Sequence, residues 1–189
     1  MHKFSLSIIL ILLLVGSFFV ARQDPISEVG TRFDYRNISY MVDDEEVRLV
    51  DGVAEKETAP GSATKTVTRY FGNEFNTDLD GDGRDDVVFL ITQETGGNGV
   101  FFFVVAALNT VDGYRGSDGY LLGDRIAPQS IYQSTNPRHV RVIVANYADR
   151  ALGEPMTAAP SVGKSVYLKL DTTQMRWGIV EANFEGESR

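Results

Sequence analysis

The sequence predicts an all-β domain, a β-sandwich or partly open barrel of about eight or more short strands, preceded by an N-terminal hydrophobic helix. Three observations carry this. Apolar residues either alternate with polar ones or run unbroken over short stretches along most of the chain. Clusters rich in Gly and Asp separate those stretches. Beyond the N-terminal segment, no region repeats its apolar positions at the helical period.

The first element is residues 1–21. His2 and Lys3 precede Phe4–Ala21, 18 uncharged residues rich in Ile, Leu, Val and Phe. This is the pattern of a secretory signal peptide or an N-terminal membrane anchor, and its length lies near the lower limit for crossing a bilayer. Phe18, Phe19 and Val20 disfavour cleavage after Ser17, and no Ala-x-Ala ending occurs, so an uncleaved anchor is slightly favoured. With no cysteine, lipid attachment through an N-terminal thiol is excluded. Residues 22–36, polar and containing Pro25 and Gly30, read as a tether. Residues 37–182 read as the β domain and 183–189 as a polar tail.

Within the domain, Ile38, Tyr40 and Val42 alternate with polar neighbours, as do Val47 and Leu49. The acidic run Asp43–Glu46 between them makes this a hairpin. Thr58–Ala63, with Pro60 and Gly61, is a loop before a β-branched and aromatic strand over Thr64–Phe71. Val87–Thr92 and Val100–Leu108 are continuous apolar runs joined by the Gly-rich turn 93–99. Runs apolar on both faces belong to strands covered on both sides, so they mark the centre of the fold. Shorter strands follow at Tyr114, Tyr120–Leu122 and Ile131–Gln133. Alternation then resumes at Val140–Val144 and Val166–Leu170, and a last strand holds Trp177 and Ile179. Between Ala148 and Gly163 the glycines and prolines indicate a long loop, with Met156 as its expected anchor to the core.

The stretch with the most chemical content is Asp78-Leu79-Asp80-Gly81-Asp82-Gly83-Arg84-Asp85-Asp86, which runs straight into Val87–Ile91. Carboxylates at positions 1, 3, 5 and 9, with glycine at position 6, form a spacing that wraps oxygen atoms around calcium. Alternate residues of a tight loop point inward, so Asp78, Asp80 and Asp82 converge. Gly83 permits the turn that brings in the Arg84 carbonyl, and Asp86 closes the set directly or through water. Two carboxylates about 5 Å apart repel by roughly 3 kcal/mol at an effective dielectric of 20, so such a loop, if ordered, calls for a cation. The spacing is not a full EF-hand, because position 12 is Phe89 rather than a bidentate Glu.

The form Asp-x-Asp-x-Asp-Gly-x-x-Asp leading into a hydrophobic strand resembles the calcium loops of FG-GAP and VCBS repeats in exported proteins, and the first half of a dockerin loop. The resemblance covers Asp78–Ile91 and implies calcium as the bound ion. Those families usually carry several copies and this chain has one, so a propeller of repeats is not expected. The runs Arg69–Glu74, Leu122–Ala127 and Asn146–Arg150 look like segments of uncharacterised exported bacterial proteins, a similarity over residues 38–171 that implies no activity.

Composition narrows the functional classes. Without residues 1–21 the chain keeps 17 basic and 26 acidic residues, a net charge of −9, which lacks the basic footprint of a nucleic-acid binder. The absence of cysteine leaves the core and the metal, rather than disulfides, to stabilise an exported domain. Outside the leader the only histidine is His139, so a zinc site has no ligand set. No Gly-x-Ser-x-Gly elbow occurs, and a thiol nucleophile is excluded. Gly96–Gly99 lies between strands and reads as a turn rather than a phosphate loop.

Tyr114, Tyr120, Tyr132 and Trp177 are expected to pack on the sheets rather than form a sugar-stacking row. The sequence thus points to a non-catalytic, calcium-stabilised extracytoplasmic domain that binds or scaffolds an envelope protein or glycan. It would be secreted or held to the membrane by its uncleaved N-terminal segment. The alternative is a hydrolase of envelope polysaccharide that uses paired carboxylates.

Overall fold

The unbroken apolar runs are explained by a central sheet with a separate core on each face. In the computed structural model, residues 34–182 are described, and they belong to the compact unit spanning 33–189. The expected leader (1–21), most of the tether and the tail (183–189) lie outside the described residues. Among the described residues no helix is long and apolar enough to cross a membrane.

A short 3-10 turn at Tyr35–Asn37 is followed by twelve strands: β1 (Ser39–Val42), β2 (Glu45–Arg48), β3 (Val53–Glu57), β4 (Lys65–Thr77), β5 (Asp86–Glu94), β6 (Phe101–Thr110), β7 (Gly113–Gly116), β8 (Tyr120–Asp124), β9 (Ala127–Gln133), β10 (Val142–Asp149), β11 (Val162–Asp171) and β12 (Arg176–Ile179). The described residues are mostly β, with three sheets and no closed barrel among them. The largest sheet runs β3-β4-β5-β6-β7, with β8 also paired to β6. A second runs β12-β11-β10-β9, and β1-β2 forms a hairpin.

Strand periodicity divides β5 and β6 between two cores. Val88, Leu90, Phe102, Val104, Ala106 and Leu108 pack with Ile143, Ala145, Leu168 and Leu170 of the second sheet. Val87, Phe89, Ile91, Phe103, Val105 and Ala107 point to the other face, where Tyr40, Val42 and Leu49 of the hairpin region cover them. The register Val88↔Ala106 and Phe89↔Val105 keeps each set on its own face. Tyr35, near the end of the expected tether, joins this second core; its ring lies 5.4 Å from that of Phe89.

The hairpin is fastened to the central sheet by backbone bonds: Met41 N–H donates to Ser117 O at 3.1 Å, and Gly119 N–H to Met41 O at 2.7 Å. Gly116 is obligatory in this contact, since a Cβ there would lie 2.2 Å from Ser39 O.

Several boundaries differ from the sequence reading. The strand expected over Thr64–Phe71 continues to Thr77, because β4 passes through irregularities at Gly72–Phe75 without leaving its partner β5. The expected strand start at Val140 moves to Val142, with Arg141 in a left-handed turn conformation at φ 56°. In the 150–161 loop Met156 is 42% exposed and belongs to neither core. Arg150 fastens the loop instead, donating from Nε to Ala158 O at 2.7 Å and from Nη1 to Arg125 O at 3.0 Å.

Candidate metal centre

The aspartate loop joins two adjacent strands of the central sheet. Thr77 and Asp86 are partners in the β4–β5 ladder, so residues 78–85 close over the end of a hairpin. Leu79 turns inward and is 4% exposed within the core shared with the second sheet. This apolar anchor fixes the start of the loop, and the carboxylates on either side of it face one another.

The side chains are oriented by the backbone of their own loop. Asp78 accepts from Gly81 N–H, and from Gly83 N–H at 3.0 Å. Asp80 accepts from Asp82 N–H at 3.0 Å, and Asp82 from Arg84 N–H at 2.8 Å. These are the short-range side-chain-to-backbone bonds that Asp favours in turns. The Gly81 and Gly83 N–H groups hold the Asp78 carboxyl below the usual carboxylate range, with further help from the charge of Arg141.

Asp86 behaves differently. It is 1% exposed, and it ties the loop to the central sheet: Oδ2 accepts from Leu79 N–H at 2.8 Å, and Oδ1 from Asn109 N–H at 2.7 Å. Asn109 lies at the end of β6, so one carboxylate holds the start of the loop, the first residue of β5 and the neighbouring strand together. Burial pushes the Asp86 carboxyl above the usual range. Its two backbone bonds oppose that shift, and the carboxylates of Asp80 and Asp82 add to it.

Of the residues the spacing singled out, Asp78, Asp80 and Asp86 come together, each offering an oxygen within 4.8 Å of the others. Asp82 stands outside that group, its Oδ2 paired with the Arg84 guanidinium. The Arg84 side chain reaches to β6, where Nε donates to Asn109 O at 2.6 Å. The donor set is all oxygen, which suits a hard cation. Two oxygens bound to one calcium are at most about 4.6–5.2 Å apart, so the observed spacing fits inside a calcium shell.

Two contributors escaped the sequence reading. Asn109, through its N–H, carbonyl and side-chain amide, braces the loop. Arg141 lays its guanidinium over Gly81, with Nη2 1.9 Å from where a Cβ at that position would be. Both are distant in sequence from the loop, and no local pattern marks them.

Elsewhere, a cleft of about 390 Å³ lies where the hairpin turn, the β7–β8 link and the β11–β12 turn meet, lined in part by Met41, Asp44, Asp118, Leu121 and Arg176. Two of its carboxylates, those of Asp44 and Asp118, lie beside Arg176. Arg176 Nη2 lies 3.9 Å from Asp44 and Nε 3.8 Å from Asp118. Burial raises the Asp118 carboxyl, against the pull of Trp177 N–H and Arg176.

His139 is 4% exposed, with Nδ1 2.7 Å from Ser134 Oγ and its ring against Tyr167, a structural placement. Tyr120 and Trp177 pack against the core between the sheets and Tyr114 against the other. Tyr132, at 38%, is the one of the four that is exposed.

Comparison with protein-family models, with curated proteins and with solved structures finds no match to this chain.

Proposed function

We propose that this chain is a non-catalytic, calcium-stabilised domain that acts outside the cytoplasm as a binding or scaffolding module for an envelope protein or glycan. The observation that supports the metal is the convergence of Asp78, Asp80 and Asp86 within 4.8 Å at the end of a central hairpin. Asp82, once released from the Arg84 guanidinium, and the Arg84 carbonyl would complete the proposed ligand set. The ion would neutralise carboxylates that the fold holds close together and join the loop to the buried strap at Asp86. The extracytoplasmic setting is read from the leader-like N-terminus; a calcium site there would be expected to bind at about 10⁻⁴–10⁻³ M, as extracellular modules do.

A scaffolding role is consistent with the cleft at the hairpin turn, where Arg176 lies beside both Asp44 and Asp118.

The test is thermal unfolding of the full chain in mild non-ionic detergent, first with excess chelator and then titrated with calcium or magnesium. The expected result is a rise of several degrees with calcium, at a submillimolar to millimolar midpoint, and little response to magnesium. An unchanged melting temperature across the calcium titration would refute the metal assignment.

A further inference from the structure

We infer that Arg141 sets the affinity of the aspartate loop for calcium, acting as a built-in positive charge that competes with the ion for the same carboxylates. The inference rests on the calcium reading above and adds a determinant from the other sheet. The loop connects β4 and β5 of the central sheet, whereas Arg141 immediately precedes β10 of the second sheet. Its guanidinium nevertheless occupies the space over Gly81, between the candidate ligands Asp80 and Asp82 in the chain.

The arginine is presented from a braced base. Ser134 N–H donates to Val142 O at 2.8 Å, closing the turn, and His139 N–H donates to Asn136 O at 2.9 Å inside it. The Ser134 hydroxyl meets His139 Nδ1 at 2.7 Å, and Arg138 N–H donates to Asn136 Oδ1 at 3.0 Å. Arg141 itself adopts the left-handed backbone conformation, φ 56°, which a long side chain adopts at some cost. Gly81 sits at φ 90°, a conformation that residues with a side chain rarely adopt, and the flexible end of Arg141 fills the space beside it. The charge of Arg141 acts on Asp78, the carboxylate that accepts the Gly81 N–H, so the loop's attraction for positive charge is already expressed there.

Two consequences follow from Coulomb's law. Without metal, the guanidinium offsets part of the repulsion among the carboxylates and keeps the loop ordered. With calcium in place, guanidinium and ion are like charges on one set of ligands, and the affinity is lower than the carboxylates alone would give. A unit charge about 6–8 Å from a divalent ion, in largely aqueous surroundings at moderate salt, changes the dissociation constant about two- to threefold. Arg141 thereby tunes the site toward the weak binding useful where free calcium is high.

The experiment is calorimetric titration of calcium into the full chain in mild non-ionic detergent at physiological ionic strength, for the natural sequence, Arg141→Asn and Arg141→Lys. Asn suits the left-handed backbone, so the charge is removed without new strain, and circular dichroism confirms that each variant is folded. Arg141→Asn is expected to bind calcium about two- to threefold more tightly, with Arg141→Lys close to the natural affinity. Unchanged or weaker binding by Arg141→Asn overturns the inference while leaving the calcium reading intact. Equal tightening in both variants also overturns it, since packing rather than charge would then be responsible. If no form binds calcium, the underlying metal reading fails and the inference with it.

Discussion

Removing the Asp86 side chain separates the loop's role in the fold from its role at the metal. Asp86→Ala leaves two backbone donors, Leu79 N–H and Asn109 N–H, without their acceptors. A buried donor stripped of its partner costs about 1–3 kcal/mol, so the pair costs about 2–6 kcal/mol. Part of this is offset because a buried carboxylate that resists ionisation disappears as well. A net loss of about 2–3 kcal/mol corresponds to a fall of about 4–12 °C in melting temperature for a chain of this size.

Asp80→Ala makes the contrast. Asp80 accepts one exposed bond, from Asp82 N–H, and surface changes of that kind stay within about 0.5 kcal/mol. Thermal unfolding of both variants in chelator and in excess calcium is the assay. At a calcium concentration about 100 times the dissociation constant, the natural chain gains about 2.7 kcal/mol, or about 5–11 °C. Asp80→Ala is expected to match the natural chain in chelator and to lose that gain. Asp86→Ala is expected to melt lower in chelator and to lose the gain too. The reasoning is refuted if Asp86→Ala melts within about 2 °C of the natural chain in chelator, or if Asp80→Ala keeps the full calcium response.

Phe89 is fully buried, with the rings of Tyr35, Tyr40 and Tyr70 centred 5.4, 5.6 and 5.5 Å away. Phe89→Ala is expected to cost about 3–5 kcal/mol by chemical denaturation, equally with and without calcium; a loss below about 1 kcal/mol would mean that this core is not packed as described. The calcium response should also weaken in acid. Burial raises the folded pKa of Asp86 above its ordinary 3.8, so protonation favours the metal-free fold as pH falls through that raised value. Asp78 is held below 3.8, so its stabilising effect is present above 3.8 and is lost only as pH falls through its lowered value. Calcium needs Asp86 ionised, and the calcium-induced rise in melting temperature should therefore begin to shrink above pH 3.8. A rise that stays constant down to pH 3.8 would exclude Asp86 as a ligand.

The chain states some of this architecture locally and hides the rest. The runs 87–91 and 100–108 announce strands covered on both faces, and alternate residues do go to two different cores. The aspartate spacing is legible because its ligands are neighbours, oriented by bonds spanning two to five residues. Strand β3 was not legible. It reads Val-Ala-Glu-Lys-Glu, and as an edge strand it exposes four of its five residues. Charged edges guard against unwanted pairing and so erase the pattern by which strands are recognised. The ladder β4 keeps past Gly72 was hidden for a related reason: Asn73 takes a positive φ of 54° and the register slips, but the pairing with β5 resumes. Tyr35 belongs to a core although its surroundings in the sequence are polar, because the residues that bury it come from strands far along the chain.

The same distinction between local and distant contacts explains why the loop matters to the fold. A hairpin end that only reversed the chain would need neither a buried carboxylate nor a brace from β6. Here Asp86 binds the loop to β6, Leu79 inserts into the core between the two sheets, and Arg141 reaches over from the second sheet. Beside them, Thr77 Oγ1 donates to Gln133 Oε1 of β9 at 3.2 Å, and Asn73 Nδ2 to Gln129 O at 3.3 Å. The loop therefore sits on the seam along which the two sheets meet, and a cation held there would stabilise the joining of the sheets as well as the turn. That is why ligands exposed at the loop tip should be dispensable to the metal-free fold, whereas the one ligand buried at the seam should not be.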